Sequence, residues 1–270
     1  MATFGISMVR DEADVIAGTL QHMADEVDHL IVADNLSTDG TRDLLADLAR
    51  QLPLTLVDDQ VPGYYQSFKM SALADRAAAA GATWVVPFDA DELWLSRFGR
   101  VREVLAELEH PVAAAELTNH LRTAIDLDDP DPFVSMVWRQ RDPAPLRKVA
   151  FRWEPGAVIA QGNHDVHLPG GTSRVECLQV RHFPYRSAQQ FTRKALNGAA
   201  AYRAAAGLSE QDGAHWRAYG EIAEREGPDR LADVFREHFW YLSPTDAGLV
   251  RDPAPYLRWR NTDAAQAQKG

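Results

Sequence analysis

Short apolar runs and segments of helical period alternate through the first third of the chain. "TFGISMV" (residues 3–9) has the length of a strand, and "EADVIAGTLQHMADEV" behind it carries apolar residues at helical spacing. "HLIVADN" (29–35) is a second strand. It ends in "STDGT", a turn and helix-start signal, ahead of the helix "TRDLLADLARQL". "LTLVDD" (54–59) is a third strand. "YYQSFKMSALADRAAAAG" is a helix closed by Gly81, and "TWVVPFD" is a fourth strand. Strands alternating with helices of this length predict βαβ units and a mostly parallel sheet flanked by helices. Such sheets bind ligands beyond the carboxyl ends of their strands. Polar residues gather at those ends: Arg10, Asp11 and Glu12; Asp34 and Asn35; Asp58 and Asp59; Asp89 and Asp91. Their succession points to one shared cleft.

Past Leu95 the pattern loosens. "RVREVLAELE" has helical spacing and "VAAAELTNHL" reads as a strand, followed by an acidic, proline-broken loop at 126–132. "FVSMVWRQ", "LRKVAFRW", "AVIAQGN" and "SRVECLQVRHF" read as strands separated by turns. From Ser187 the chain reads as helices, "SAQQFTRKALNGAAAYRAAAG", "AHWRAYGEIAEREG" and "DRLADVFREHFWYL", punctuated by Pro228 and Pro244. The expected organisation is an α/β domain over 1–186, a helical region over 187–260 and a disordered tail over 261–270.

Composition narrows the function. Of 270 residues, 46% are hydrophobic, enough for a sizeable core, and the net charge of -11 argues against a nucleic-acid partner. A single cysteine, Cys177, rules out a disulfide within the chain and reads as a strand thiol. The N-terminus has no basic, apolar leader, and no run approaches the ~18–20 apolar residues of a membrane span. The expected location is cytoplasmic, with peripheral membrane attachment left open.

The chemistry concentrates in "WVVPFDADELW" (84–94), where Asp89, Asp91 and Glu92 crowd the end of an apolar strand. Like charges so close repel. In extended backbone Asp89 and Asp91 would point to the same side. Their oxygens suit a hard divalent cation, Mg²⁺ or Mn²⁺, which would relieve the repulsion and attract a diphosphate.

"MVRDEADVI", "IVADNLSTDGT" and "WVVPFDADELW", in this order and spacing, resemble the family 2 glycosyltransferases of the GT-A fold. The likeness is closest to a bacterial branch with "vrNEad" and "DaDEf" segments. It covers about the first 95 residues well and continues more loosely through "RKVAFRW", "QGNHDVH" and "RHFPYRSAQQFTRKALNG". Asp11 stands where the family has Asn, and Asn35 and Leu36 replace the residues after the first aspartate of its second motif. The resemblance implies a GT-A-like fold and a metal-dependent, inverting transfer of a sugar from a nucleotide-diphosphate donor, UDP-linked rather than GDP-linked. The hydroxyl acceptor (glycan, lipid, protein or small molecule) stays open.

It further implies that Val9, Arg10, Glu12 and Asp34 hold the nucleoside, and that Lys69, Arg186 and Lys194 lie near the donor phosphates. Asp91 is the main metal ligand, Asp89 touches metal or ribose, and Glu92 supports them. His182, after a late strand, completes the metal shell, with His164 as competitor. Asp165, in the loop "QGNHDVHLPGG", is the candidate base for the acceptor hydroxyl, with Glu116 in reserve. Lys148 and Arg152 are further candidates for phosphate or acceptor contact. Of the seven tryptophans, Trp94 has the best claim to stack on a sugar, and Trp84, Trp138, Trp153, Trp216, Trp240 and Trp259 read as packing residues. The helical region either covers the acceptor side of the cleft or forms a homodimer surface. Two rivals remain. A nucleotidyltransferase would need a glycine- and basic-rich loop where "VRDEAD" stands, and a non-catalytic nucleotide-sugar-binding module would have no use for an intact "DADE".

Overall fold

The computed structural model describes residues 1–209 and 211–254. In chain order the elements are β1 (Thr3–Val9), α1 (Ile16–Glu26), β2 (His29–Asp34), α2 (Thr41–Leu48), β3 (Leu54–Asp58), α3 (Gln66–Ala79), β4 (Trp84–Pro87), β5 (Glu92–Leu95), α4 (Val101–Ala106), β6 (Val112–Asn119) and β7 (Arg122–Thr123). There follow α5 (Pro132–Ser135), β8 (Trp138–Gln140), β9 (Arg147–Arg152), β10 (Val158–Ile159), a 3-10 turn (Gln161–Asn163), β11 (Val166–His167) and β12 (Arg174–His182). Then come α6 (Ala188–Ala204), α7 (Ala214–Glu226), α8 (Asp229–His238), β13 (Trp240–Tyr241) and β14 (Leu249–Arg251).

The protein is of the α/β class. Its main sheet has eight strands in the order β3-β2-β1-β4-β9-β6-β12-β5. The first four are parallel, as the βαβ pattern predicts. Beyond β4 the sheet is mixed: β9 runs antiparallel to both β4 and β6, β12 is parallel to β6, and β5 closes the edge antiparallel to β12. β4 reaches β5 by a turn, β5 reaches β6 through α4, and β6 reaches β9 through a stretch that holds β7, α5 and β8.

Both faces of the sheet are covered. Ile16, Leu20 and Met23 of α1, Leu45 and Leu48 of α2, and Val101 and Leu105 of α4 pack on one face, over Trp84, Phe88 and Trp94. Met70, Leu73, Ala74 and Ala77 of α3, with Ile159 and Val166, pack on the other. Burial of each large side chain contributes ~1.5–3 kcal/mol. Gly5 of β1 lies so close to its neighbours that a Cβ would stand 2.8 Å from Leu30 and 3.1 Å from Phe88. The central strand therefore admits no larger residue there.

Four expectations change. β4 ends at Pro87, and Phe88–Asp91 turn the chain toward β5 at the opposite edge, so the acidic motif is a turn and not extended backbone. "FVSMVWRQ" begins as a helical turn, because Asp131 accepts the N–H of Phe133 at 2.9 Å and Pro132 opens the turn. "AVIAQGN" is strand for two residues only, and Gly162 and Asn163, both at positive φ, bend the rest. The helices α6, α7 and α8 do share a core of Phe191, Ala195, Leu231, Val234 and Phe235. After α8, however, the chain returns to the sheet side, where β13 pairs with β7 and β14 with β8. Cys177 sits at a bulge in β12, half-buried, and burial pushes its thiol pKa up. No helix among the described residues is long and apolar enough to cross a membrane. Trp259 and the tail at 261–270 lie outside the described residues.

Candidate active site

A cavity of about 520 Å³ opens beyond the carboxyl ends of β1 and β4. That volume falls within the ~300–1,000 Å³ of small-molecule sites. One wall is the end of β1, Val9, Arg10 and Glu12, joined by Asn35 and Tyr64. The floor is Asp89, Ala90 and Asp91, and the opposite wall is His182, Tyr185, Lys194 and Asn197. Tyr202, His215 and Trp216 extend that wall. Trp216 of α7 reaches it because Gly198 of α6 leaves room: a Cβ there would stand 2.8 Å from the indole.

The loops at the β1 end of the cavity are stitched together. Asp11, at φ 54°, accepts the N–H of Thr38 at 2.6 Å and the amide of Asn197 at 2.6 Å. Asn35 donates to Asp59 at 2.9 Å and to the carbonyl of Val61 at 2.8 Å. Asp11 and Asn35 tie loops together. Leu36 holds a left-handed backbone (φ 59°) that glycine would adopt without strain, and nothing in the structure explains the leucine.

The two aspartates of the acidic motif face different partners. Asp91 is buried. Its Oδ2 accepts from the Lys194 ammonium, with the Arg186 guanidinium at 3.5 Å, and its Oδ1 lies 3.6 Å from His182 Nε2. Burial alone would raise the Asp91 pKa, but Lys194, His182 and Arg186 outweigh it and hold the carboxyl well below the usual range. Asp89 Oδ2 accepts from Lys148 at 2.6 Å and Oδ1 from Asn163 at 3.0 Å. Lys148 is buried on β9 and also reaches Glu92 at 2.8 Å. Burial pushes Glu92 up, Lys148 pulls it down, Asp89 raises it again, and the net shift is upward. Burial would depress Lys148, but the charges of Asp89 and Glu92 hold its pKa above the ordinary lysine value. The repulsion within the motif is thus offset by lysines from β9 and α6.

His182 Nδ1 lies 2.8 Å from Asn119 Oδ1, and Asn119 donates its amide to Gln140 at 2.9 Å. An acceptor oxygen there fits a proton on Nδ1 and fixes the ring from behind. Nε2 faces Asp91 Oδ1 at 3.6 Å, and these two atoms are the pair that would hold a shared cation. Among the described residues no group of three or more His, Cys, Asp or Glu converges on one point. One or two carboxylates, completed by phosphate oxygens and water, form the donor set of Mg²⁺ sites, and Asp91 would supply such a carboxylate here.

Of the other residues the sequence singled out, Val9, Arg10, Glu12, Asp89, Asp91, His164, His182 and Lys194 line the cavity, and Asp34, Lys69, Arg186, Asp165 and Glu116 do not. Asp34 is buried beneath the wall, with Oδ1 unpartnered among the described residues. Lys69 binds Asp59 at 2.6 Å and the Val61 carbonyl at 2.6 Å, so it braces a loop. Arg186 spends its five N–H groups on Asp14 (2.7 and 2.9 Å), Glu12, Asp91 and the Phe183 carbonyl (2.9 Å), leaving none for a phosphate. Asp165 is exposed and paired with Arg174 at 2.9 Å. Glu116 lies on the face of β6 opposite to Leu117 and Asn119, which line the cavity. His164 holds the Arg147 carbonyl through Nδ1 at 2.9 Å, and burial lowers its pKa. Asp89 is held by Lys148 and Asn163. Trp94 is fully buried, so the stacking role falls away, whereas Trp216 lines the cavity. Arg152 lies over the Trp84 ring, 5.4 Å from its centroid, outside the cavity. Asn119, Asn163, Asn197 and the tyrosines went unnoticed in the sequence. Only Asn163, beside a glycine in a polar loop, carried a local signal.

No family model matches the chain, and no curated protein sequence matches it. Among solved structures the chain is similar to residues 1–349 of TarS from S. aureus, with 12% identity over 84% of this chain and 73% of that chain and a TM-score of 0.40. The same TarS piece in complex with UDP-GlcNAc gives 13% identity over 88% and 74%, TM-score 0.37. A 4-diphosphocytidyl-2C-methyl-D-erythritol synthase from Anaerococcus prevotii gives 13% over 56% and 70%, TM-score 0.32. At TM-scores this low the likenesses carry no argument about activity.

Proposed function

We propose that this protein is a GT-A-type glycosyltransferase, which moves a sugar from a nucleoside-diphosphate donor, UDP-linked, to a hydroxyl acceptor. One observation carries the reading: Asp91 stands between Lys194 and the Nε2 atom of His182, in a cavity lined also by the end of β1. The ordered motifs add support, since the same segments that resemble the family build this cavity.

In this arrangement Val9, Arg10 and Asn35 border the nucleoside, and Lys194 faces the diphosphate. Asp91 and His182 would hold a divalent cation, Mg²⁺ or Mn²⁺. When bound, such a cation offsets charge developing on the departing diphosphate. Asp165 and Glu116 are replaced as proton acceptor by Asp89, the most exposed carboxylate in the cavity, at 31% of its side chain. Lys148 and Asn163 fix its two oxygens, so the group is oriented before the acceptor arrives. Direct displacement with Asp89 deprotonating the hydroxyl inverts the anomeric centre, the outcome the family resemblance implies.

The test is thermal stability with UDP, GDP and other nucleoside diphosphates, with and without Mn²⁺. A ligand at ~100 times its Kd adds about 2.7 kcal/mol of stability. The reading fails if no nucleotide stabilises the protein in a cation-dependent way. Release of nucleoside diphosphate from a UDP-sugar separates glycosyl transfer from nucleotidyl transfer, which releases pyrophosphate.

A further inference from the structure

We propose that Lys194 is the protein's own counter-ion on the carboxylate that would hold the cation, Asp91, bound through the oxygen opposite to the one facing His182. A divalent cation and the Lys194 ammonium then compete for one carboxylate, and the donor diphosphate relieves the competition by drawing Lys194 onto its own oxygens. The inference rests on the cation-dependent reading above and adds a coupling between cation and nucleotide to it.

The geometry separates a fixed cation from a movable one. Arg186 is buried at 2% exposure and every N–H it has is used. It keeps Glu12, Asp14 and Asp91 compensated whatever else moves. Lys194 has two contacts, Asp91 Oδ2 and, at 3.4 Å, Glu12 Oε1, and 24% of its side chain is exposed. It shares the cavity-facing side of α6 with Asn197 and Ala201, so its four-carbon stem can swing into the cavity without moving the helix.

Both oxygens of Asp91 are thereby accounted for. Oδ2 carries Lys194, and Oδ1 faces His182 Nε2 at 3.6 Å. A divalent ion on Asp91 is repelled by an ammonium on the same carboxylate, in a buried place where screening is weak. The diphosphate offers Lys194 another anion and removes that repulsion. Cation and nucleotide therefore bind with positive, reciprocal coupling.

The test is Mn²⁺ binding followed by the electron paramagnetic resonance of free Mn²⁺, with and without UDP, in wild type, Lys194→Met, Lys194→Gln, Arg193→Gln and Asp91→Asn. Arg193 loses the same charge one residue along α6, where it pairs with Asp39 at 3.2 Å. Without UDP, Lys194→Met binds Mn²⁺ about tenfold more tightly than wild type, and Lys194→Gln shifts in the same direction. Arg193→Gln stays within about twofold. UDP tightens Mn²⁺ binding about tenfold in wild type and less than about threefold in Lys194→Met. Equal or weaker Mn²⁺ binding by both Lys194 variants, with wild type still forming a Mn²⁺–UDP complex sensitive to Asp91→Asn, overturns the proposal and leaves the cation reading standing. An equal gain in Arg193→Gln also overturns it, since the effect would then be a general field. If no protein holds Mn²⁺ even with UDP, both readings fall.

Discussion

Asp89 and Asp91 are two residues apart and are held in different ways. Asp89 is braced from the sheet side, by Lys148 of β9 and by Asn163, a fully buried residue at φ 59°. Non-glycine residues in that region cost about 1–3 kcal/mol and persist where surroundings over-determine them. Asp91 is held from the helical side, by Lys194 of α6 and by Arg186 and His182 just before it. The first brace is buried and rigid, while the second includes one long, part-exposed side chain. The comparison teaches that a D-x-D pair can be split between a fixed orientation and an exchangeable counter-ion, although a shared metal is the first expectation.

The division can be broken most severely at Asp91. Asp91→Ala is expected to lower donor turnover about a thousandfold, measured as UDP release, through loss of the cation's several kcal/mol. Asp89→Ala, by contrast, should keep cation-dependent UDP stabilisation while losing transfer. Arg186→Ala tests the fixed cation. It leaves Glu12, Asp14 and Asp91 short of their partner, a loss of about 3–5 kcal/mol, so the melting temperature should fall on the order of 10 °C. Asn163→Gly keeps the left-handed backbone and deletes the donor to Asp89. An activity loss of about tenfold with little change in melting temperature would separate orientation from stability.

The pH dependence of stability sharpens the same contrast. The Asp91 pKa is depressed in the folded protein, so its contribution is present above the unfolded value of ~3.9 and is lost as pH falls through the folded value. Lys194 is shifted the other way: burial opposes its charge, but Asp91 and Glu12 raise the pKa. Its contribution is present below ~10.4 and is lost only as pH rises through the folded value. Melting curves of wild type should therefore decline more steeply below pH ~4 than those of Asp91→Asn. The smallest expected effect is at the loop departure: Leu36→Gly relieves the positive φ and should stabilise by up to ~1 kcal/mol, a few degrees in melting temperature.

Much of the first 95 residues was legible because local period reports local structure. The runs at 3–9, 29–35 and 54–59 became β1, β2 and β3, with ends within one residue. The acidic motif was legible as a site floor, but its backbone was not, since Pro87 and Phe88 read as the end of a strand and gave no hint that β5 crosses to the far edge. Glu116 and Asn119 illustrate the remaining gap. Alternation along β6 says that they face opposite ways, but only the packing of the sheet says which face lines the cavity. Arg186 looked like a phosphate ligand by its place in the chain, and its neighbours Glu12 and Asp14 are 174 and 172 residues away.

The sequence by itself determined the α/β class of this protein, the gathering of polar residues at the carboxyl ends of its first strands, and the crowding of carboxylates at residues 89–92. Periodicity, turn residues and strand length are properties of neighbouring positions, so they can be read without the fold. Only the tertiary structure decided that Lys148 belongs to Asp89 and Lys194 to Asp91, that Arg186 is wholly consumed by its own network, and that Asp165 stands outside the cavity. Charge pairing across a buried site depends on where separate chain segments meet, and no local pattern encodes that meeting.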